Sequence, residues 1–159
     1  MDATTMPSLS LLIESLQADY PILSFQKGDD FVWSPGQKTV FYAEDETNGT
    51  ISLLHELAHA LLGHDTYERD IDLIAMETAA WGHVETVLAQ KYATITDSAH
   101  IQSHLDSYRD WLHQRSLCPT CSHTGLQTQT NRYSCMNCNG SWRVNDARRC
   151  RLRRELVTN

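Results

Sequence analysis

Apolar residues recur along most of the chain at helical spacing, and in one region they follow the pattern of short strands. The helical spacing predicts four helices, over residues 8–18, 50–62, 71–91 and 98–113. Between the first two, the runs Phe31-Val32-Trp33 and Thr39-Val40-Phe41-Tyr42 flank a Pro35-Gly36 turn and predict a β-hairpin or two strands of a small sheet. This pattern is typical of an α+β fold.

The second predicted helix carries the sequence His55-Glu56-Leu57-Ala58-His59, which has the form H-E-x-x-H. With about 3.6 residues per turn, His55 and His59 lie one turn apart on one face and can bind the same metal ion. Glu56 lies beside them, where its carboxylate can accept a proton from a metal-bound water. The motif therefore predicts a catalytic zinc ion with Glu56 as the general base.

A catalytic zinc ion needs a third protein ligand, since water takes its fourth position. His64 is nearest in sequence, but it would lie about 140° round a continuing helix from His59 and point away. Gly63 is expected to end the helix as its C′ residue. Asp65 occupies the last ligand position of the longer H-E-x-x-H-x-x-G-x-x-H pattern and remains an alternative.

Glu77 is the preferred third ligand because it lies inside the apolar pattern of the third predicted helix, which Asp65 or Thr66 is expected to cap. Its neighbours at helical spacing are nearly all apolar: Leu73, Ile74, Ala80, Trp81 and Val84. A buried carboxylate is costly unless a cation compensates its charge, and a zinc ion does so. A structural role, paired with an inward arginine or with His83, is the alternative.

The segment from His55 to His64, with the sequence HELAHALLGH, resembles the metal helix of the ImmA/IrrE-like zinc peptidases. In that family the following helix donates a glutamate, with Ala three residues later and usually Asn or Asp after it. Here Glu77 and Ala80 fit, and Trp81 takes the next position. The resemblance covers roughly residues 8–90. It implies a gluzincin-like endopeptidase fold, and some members of the family cut DNA-bound repressors.

Peptide hydrolysis at such a site also needs a donor that stabilises the tetrahedral oxyanion. The sequence offers several side chains for this role and does not choose among them. They are His83, His100, His104 and Tyr108.

Beyond the helices, four of the five cysteines form two C-x-x-C pairs, Cys118 with Cys121 and Cys135 with Cys138. This spacing predicts a closed tetrahedral structural zinc site, and alternating residues over 126–130 and 132–134 predict the two short strands of a zinc ribbon. Because a segment of about 40 residues cannot build an adequate hydrophobic core unaided, the metal is expected to supply much of its folding free energy. His123 and Cys150 are expected to be bystanders.

The net charge of −7 hides an asymmetry between the two parts of the chain. Residues 1–117 carry 6 basic and 18 acidic side chains, whereas residues 118–159 carry 7 basic and 2 acidic ones. The basic residues past the ribbon are Arg143, Arg148, Arg149, Arg151, Arg153 and Arg154, and Tyr133 and Trp142 are expected to be available for stacking. This segment favours DNA, RNA or an acidic protein as a partner, with a solvated tail as the alternative.

The length suits one domain with a small appendage, and no apolar run approaches the roughly 18 to 20 residues of a membrane span. The first residues lack a basic region that would begin an export signal, so we expect a cytoplasmic protein. We predict a minimal zincin-like metallopeptidase domain over residues 1–114 and a zinc ribbon with a basic tail over residues 115–159.

Three functions remain open on the sequence alone. The first is a zinc endopeptidase acting on a protein substrate, with an activity of the ImmA/IrrE-like kind. The second is a protease of the SprT/Spartan type, which also joins H-E-x-x-H to a zinc-binding segment but usually has a third histidine. The third is a non-enzymatic regulator or adaptor that binds nucleic acid or protein through its ribbon.

Overall fold

The computed structural model describes residues 6–45, 47–146, 148 and 150–158. They form a mixed α+β structure, as predicted, with two small sheets. The helices are α1 (Leu9–Asp19), α2 (Gly49–Leu61), α3 (Asp70–His83) and α4 (Ser98–Ser116), with shorter helical turns at Pro35–Gln37, Val84–Leu88 and Ala89–Lys91. The strands are β1 (Ser24–Lys27), β2 (Val32–Ser34), β3 (Thr39–Tyr42), β4 (Leu126–Gln129), β5 (Arg132–Ser134), β6 (Ser141–Val144) and β7 (Arg154–Leu156).

These elements divide into two compact units. Unit 1 comprises residues 1–65 and 76–101, and unit 2 comprises residues 66–75 and 102–159. Helices α3 and α4 each contribute residues to both. The domain division predicted at residues 114 and 115 stays a prediction. None of the described helices is long and apolar enough to cross a membrane.

Unit 1 contains a three-stranded sheet in the order β1-β3-β2. β2 and β3 pair antiparallel, which confirms the predicted hairpin, whereas β1 pairs parallel with β3 and was not predicted. β1 has a single buried residue, Phe25, so its apolar pattern is too short to distinguish a strand. Ser8 caps helix α1. Helix α2 contacts α1 and both strands of the hairpin, β2 and β3.

Helix α2 ends in a Schellman motif centred on Gly63, as the C′ prediction requires. Gly63 has a φ of 67°, its N–H donates to the carbonyl of Ala60 (3.2 Å), and the N–H of His64 donates to the carbonyl of His59 (3.0 Å). A positive φ is nearly free of steric cost only for glycine. The turn reverses the chain direction, so His64 does not continue round the helix.

Helix α3 begins at Asp70, close to the predicted start at residue 71, but without the predicted cap. Neither Asp65 nor Thr66 caps it; instead the Asp72 carboxylate accepts a hydrogen bond from the N–H of Arg69 (3.3 Å). Asp97 caps α4 as predicted, since its carboxylate accepts from the N–H of Ala99 (2.9 Å).

Unit 2 contains an antiparallel sheet in the order β4-β5-β6-β7. The predicted strands β4 and β5 are present, while β6 and β7 were not predicted, and β7 lies in the segment interpreted as a basic tail. The core of the unit is a cluster of buried residues: Cys118, Tyr133, Cys135, Trp142 and Val144. Tyr133 and Trp142 are stacked on each other with ring centroids 5.7 Å apart, and they are 2% and 0% exposed. The prediction that they are available for stacking on a partner is therefore wrong.

A buried ion pair lies beside this core within unit 2. The Arg115 guanidinium donates to both Asp70 carboxylate oxygens, at 2.7 and 3.2 Å, and each residue is 1% exposed. Arg115 also donates to Asn131 Oδ1 (2.6 Å) and to the carbonyl of Asn145. The Tyr133 hydroxyl donates to Asp70 (2.5 Å), so that helix α4, strand β5 and the start of α3 share one hydrogen-bonded network.

Candidate metal centres

The first candidate centre lies in unit 1, where α2 and α3 bring two imidazoles and a carboxylate together. His55, His59 and Glu77 each offer a ligand atom within 4.8 Å of the others, and all three residues are buried. His55 Nε2 lies 2.9 Å from Glu77 Oε2 and 3.1 Å from His59 Nε2, and His59 Nε2 lies 3.4 Å from Glu77 Oε1. The predicted grouping is thus present, while the role of these residues as ligands stays a prediction.

The donor geometry fits a tetrahedral metal ion. Ligand atoms about 2.0 to 2.1 Å from a tetrahedral centre are separated from one another by roughly 3.3 Å, close to the three distances observed here. Burial opposes the ionised form of Glu77, but hydrogen bonds from His55 and His59 outweigh it and hold the pKa of this carboxyl well below its usual range. An ionised glutamate and two imidazoles form an N/O donor set of the kind that divalent transition metals prefer.

Each histidine of the group contacts one further aromatic ring, which restricts its orientation. Trp81 stacks on His55, with ring centroids 4.1 Å apart and an interplanar angle of 24°. His59 Nδ1 lies 2.8 Å from His64 Nδ1, which leaves His59 Nε2 facing the group. His64 stays outside the group of donor atoms, as expected, but the prediction that it points away from His59 is wrong, because the reversal at Gly63 returns its ring to His59.

Glu56 lies outside the group of donor atoms. Its Oε2 accepts a hydrogen bond from the backbone N–H of Trp33 in β2 (2.7 Å), and the Trp33 indole donates to the carbonyl of His64 (2.9 Å). β2 is an edge strand of the sheet, and this N–H points away from β3 towards the carboxylate. The contact ties the Glu56 side chain on α2 to the edge strand β2.

The other sequence candidates do not join this group in the described part of the chain. Asp65 is exposed. Among the side chains considered for the oxyanion, His100 contacts the ring of Trp81 edge-on, with centroids 6.0 Å apart. Tyr108 belongs to unit 2, where its hydroxyl accepts a hydrogen bond from Arg148 and its ring packs under that guanidinium.

The second candidate centre is the cysteine group of unit 2. The thiols of Cys118, Cys121, Cys135 and Cys138 lie within 4.8 Å of one another. Sγ of Cys118 is 3.6 Å from that of Cys138, and Sγ of Cys121 is 3.5 Å from that of Cys135. Thiolates about 2.3 Å from a tetrahedral metal are separated by roughly 3.8 Å, so the group fits such an ion.

The two C-x-x-C segments present their thiols in the same backbone conformation. In each, the residue after the second cysteine has a positive φ of 60° and donates to the carbonyl of the first cysteine. Hydrogen bonding from the backbone of His123 lowers the pKa of the Cys121 thiol to about 5. A hydrogen bond from the backbone of Gly140 lowers the pKa of Cys138, but the neighbouring thiols together outweigh it and raise this pKa to about 12. Neighbouring thiols thus oppose one another's ionisation, and a cation among them would favour the thiolate form of all four.

Comparisons of the chain with protein-family models, with curated proteins and with solved structures found no match.

Proposed function

We propose that the chain is a zinc-dependent endopeptidase that cleaves a protein substrate. The observation that carries the proposal is the convergence of His55 Nε2, His59 Nε2 and the Glu77 carboxylate in unit 1. Glu56 follows His55 on the same helix, and the Trp33 N–H holds its carboxylate. Two histidines and a glutamate from two helices are a donor set of catalytic zinc sites that keep one position open. The contacts of α2 with β2 and β3 support a minimal zincin-like domain of the ImmA/IrrE-like kind.

The residues of the group divide the chemistry between them. When bound, zinc lowers the pKa of a water towards about 7 and polarises the substrate carbonyl. Glu56 accepts the proton of the attacking water and passes it to the leaving amine. The N–H of Trp33 holds one oxygen of Glu56, so that the carboxylate is oriented before the substrate arrives.

His64 and Trp81 act as positioning residues for this site. A histidine that binds a metal through Nε2 donates its Nδ1 proton to a neighbour, which fixes both tautomer and ring orientation. His64 Nδ1 is that acceptor for His59. Trp81 restricts the ring of His55 by stacking, in the place where the resembling family has a polar residue.

The cysteine group supports a second, structural zinc ion. Four thiolates in a tetrahedral arrangement bind zinc or iron, and a closed set leaves no position for a substrate. We therefore assign it to the folding of unit 2. Metal analysis of purified protein is expected to give two zinc ions per chain, and replacement of Cys118 and Cys121 by serine is expected to remove one.

The decisive experiment compares the zinc-loaded chain with its Glu56→Gln variant on a proteome-derived peptide library, with new N-termini identified by mass spectrometry. The variant keeps the size of the side chain and the zinc content but lacks the base, so cleavage should disappear. Equal cleavage by both proteins would refute the assignment of Glu56. Two bound zinc ions with no cleavage by either protein would refute the peptidase and support a non-enzymatic regulator.

The grouping of Glu77 with the two histidines favours the glutamate-type site over the SprT/Spartan alternative. That alternative needs a third histidine, and His64 faces the Nδ1 side of His59 instead. A Glu77→Ala variant distinguishes the two. If Glu77 is the ligand, the substitution is expected to weaken zinc binding, because alanine offers no donor atom, whereas unchanged binding would support a different third ligand.

A further inference from the structure

The basic residues of unit 2 do not form a uniform tail. Arg148 stacks on Tyr108, and Arg154 donates to the carbonyl of Leu117 (2.8 Å). Arg149 lies outside the described residues. The exposed arginines that remain include Arg132 and Arg143 on the sheet.

Arg132 and Arg143 face each other directly across strands β5 and β6, on the face of the sheet opposite Tyr133 and Trp142. Like charges in directly opposed positions destabilise a sheet. The next strand offers Glu155, whose carboxylate lies 3.5 Å from the Arg143 guanidinium. Both of these side chains are about three-fifths exposed, so their ion pair contributes little. The row therefore keeps an excess of positive charge.

A third arginine, Arg153, extends this row. A cavity of about 300 Å³ lies at the end of the row and is lined by Arg143, Val144, Asn145, Arg153 and Glu155. The N–H of Arg153 donates to the side chain of Asn145 (2.7 Å), which fixes the backbone from which this arginine projects. We call Arg132, Arg143 and Arg153, with the sheet surface between them, the arginine face.

The chemistry of the arginine face selects its ligand. All seven basic residues after Cys118 are arginines and none is lysine, and the planar guanidinium binds phosphate in a bidentate manner. The remaining residues of the two central strands on this face are Ser134 and Ser141, whose hydroxyls suit phosphate oxygens. A protein interface would instead need aromatic or apolar anchors, and both rings of these strands are buried on the other side.

We propose that the arginine face binds the phosphate backbone of a nucleic acid. Because Tyr133 and Trp142 are buried, no ring from these strands is available to stack on bases, so binding should be independent of base sequence. It is also independent of peptidase activity, and for a peptidase it would serve to bring the chain to substrates on DNA or RNA.

The test uses the full zinc-loaded chain and fluorescence anisotropy with labelled oligonucleotides of mixed sequence, single-stranded and duplex. Three phosphate contacts to a single strand give a slope of log K against log salt of about −2, or about 20-fold weaker binding at 200 mM than at 50 mM salt. Each of Arg132→Gln, Arg143→Gln and Arg153→Gln is expected to reduce the steepness of that slope by about 0.7. Arg109→Gln removes the same charge from helix α4, outside the sheet, and should leave the slope unchanged.

Glu155→Gln supplies a test of opposite sign. Its carboxylate repels phosphate and competes for Arg143, so the variant is expected to bind the oligonucleotide more tightly than the wild type. A general loss of structure cannot produce this gain. Absence of binding at 50 mM salt, or equal effects of Arg109→Gln and Arg143→Gln, would overturn the proposal. Equal affinity for polyglutamate of the same charge would also overturn it, in favour of an acidic protein partner.

Discussion

Two ion pairs formed by arginines of helix α4 have the same shortest N···O distance but differ in burial, and they give a sharp test of the structure of unit 2. Arg115 Nε lies 2.7 Å from Asp70 with side chains 1% and 2% exposed. Arg109 Nη1 also lies 2.7 Å from its partner Asp106, but these side chains are 49% and 55% exposed. Arginine-to-methionine replacement at each position keeps much of the aliphatic stem and removes the charge.

The expected costs differ several-fold. In Arg115→Met, Asp70 stays buried and keeps the hydrogen bond from the Tyr133 hydroxyl, but it loses both bonds from the guanidinium. The substitution also removes the donors to Asn131 and Asn145. Breaking a buried pair in this way costs about 3 to 5 kcal/mol. Arg109→Met breaks a solvated pair, which costs at most about 1 kcal/mol.

The free energies of unfolding are measured by urea denaturation of the full zinc-loaded chain, with tryptophan fluorescence and far-UV circular dichroism as separate probes. Coincident transitions are required for a two-state analysis. The double variant with Asp70→Leu and Arg115→Met should be less destabilised than the sum of its single variants, because neither partner is left charged and unpaired. Equal costs for Arg115→Met and Arg109→Met would contradict the burial of the pair.

Three further predictions concern the metal centres and the fold of unit 2. His64→Ala is expected to weaken zinc binding at the histidine group about 10- to 100-fold in a chelator competition, while His113→Ala, at an exposed position, leaves it unchanged. Gly125→Ala should destabilise unit 2, since its Cβ would lie 2.4 Å from the Trp142 ring and 2.7 Å from the carbonyl oxygen of Ser134. Gly36→Ala is the control, because a Cβ at that position meets nothing within 4 Å. Removal of metal from the cysteine group by a strong chelator should abolish the near-UV circular dichroism of the Trp142 environment, and an unchanged spectrum would show that unit 2 holds its fold without metal.

The grouping of His55, His59 and Glu77 could be predicted because local periodicity determines it. Two of the residues share one helix face, and the third carries a charge in an otherwise apolar stripe, which marks it as buried. The contact of His64 with His59 depends instead on one backbone reversal at Gly63. The sequence predicted that the helix ends at Gly63, but the direction in which the chain returns the next side chain follows only from the dihedral angles.

Other features had no sequence signal or had one that was overlooked. The donor to Glu56 is a backbone N–H, which every residue except proline possesses. Asp70 and Arg115 look like solvated charges because their partners are distant in sequence. The burial of Tyr133 and Trp142, by contrast, was signalled by alternation, since each stands between polar or charged neighbours in a short strand.

The Asp70 network also sets an order of events during synthesis of the chain. Asp70 leaves the ribosome 45 residues before Arg115 and 63 residues before Tyr133. At about 5 to 20 residues per second, the carboxylate waits roughly 3 to 13 seconds for its last side-chain partner. During this interval the Asp70 carboxylate lacks the hydrogen bond from Tyr133, and the second C-x-x-C segment has not yet been made. The start of helix α3 thus receives contacts from residues translated 45 and 63 positions later.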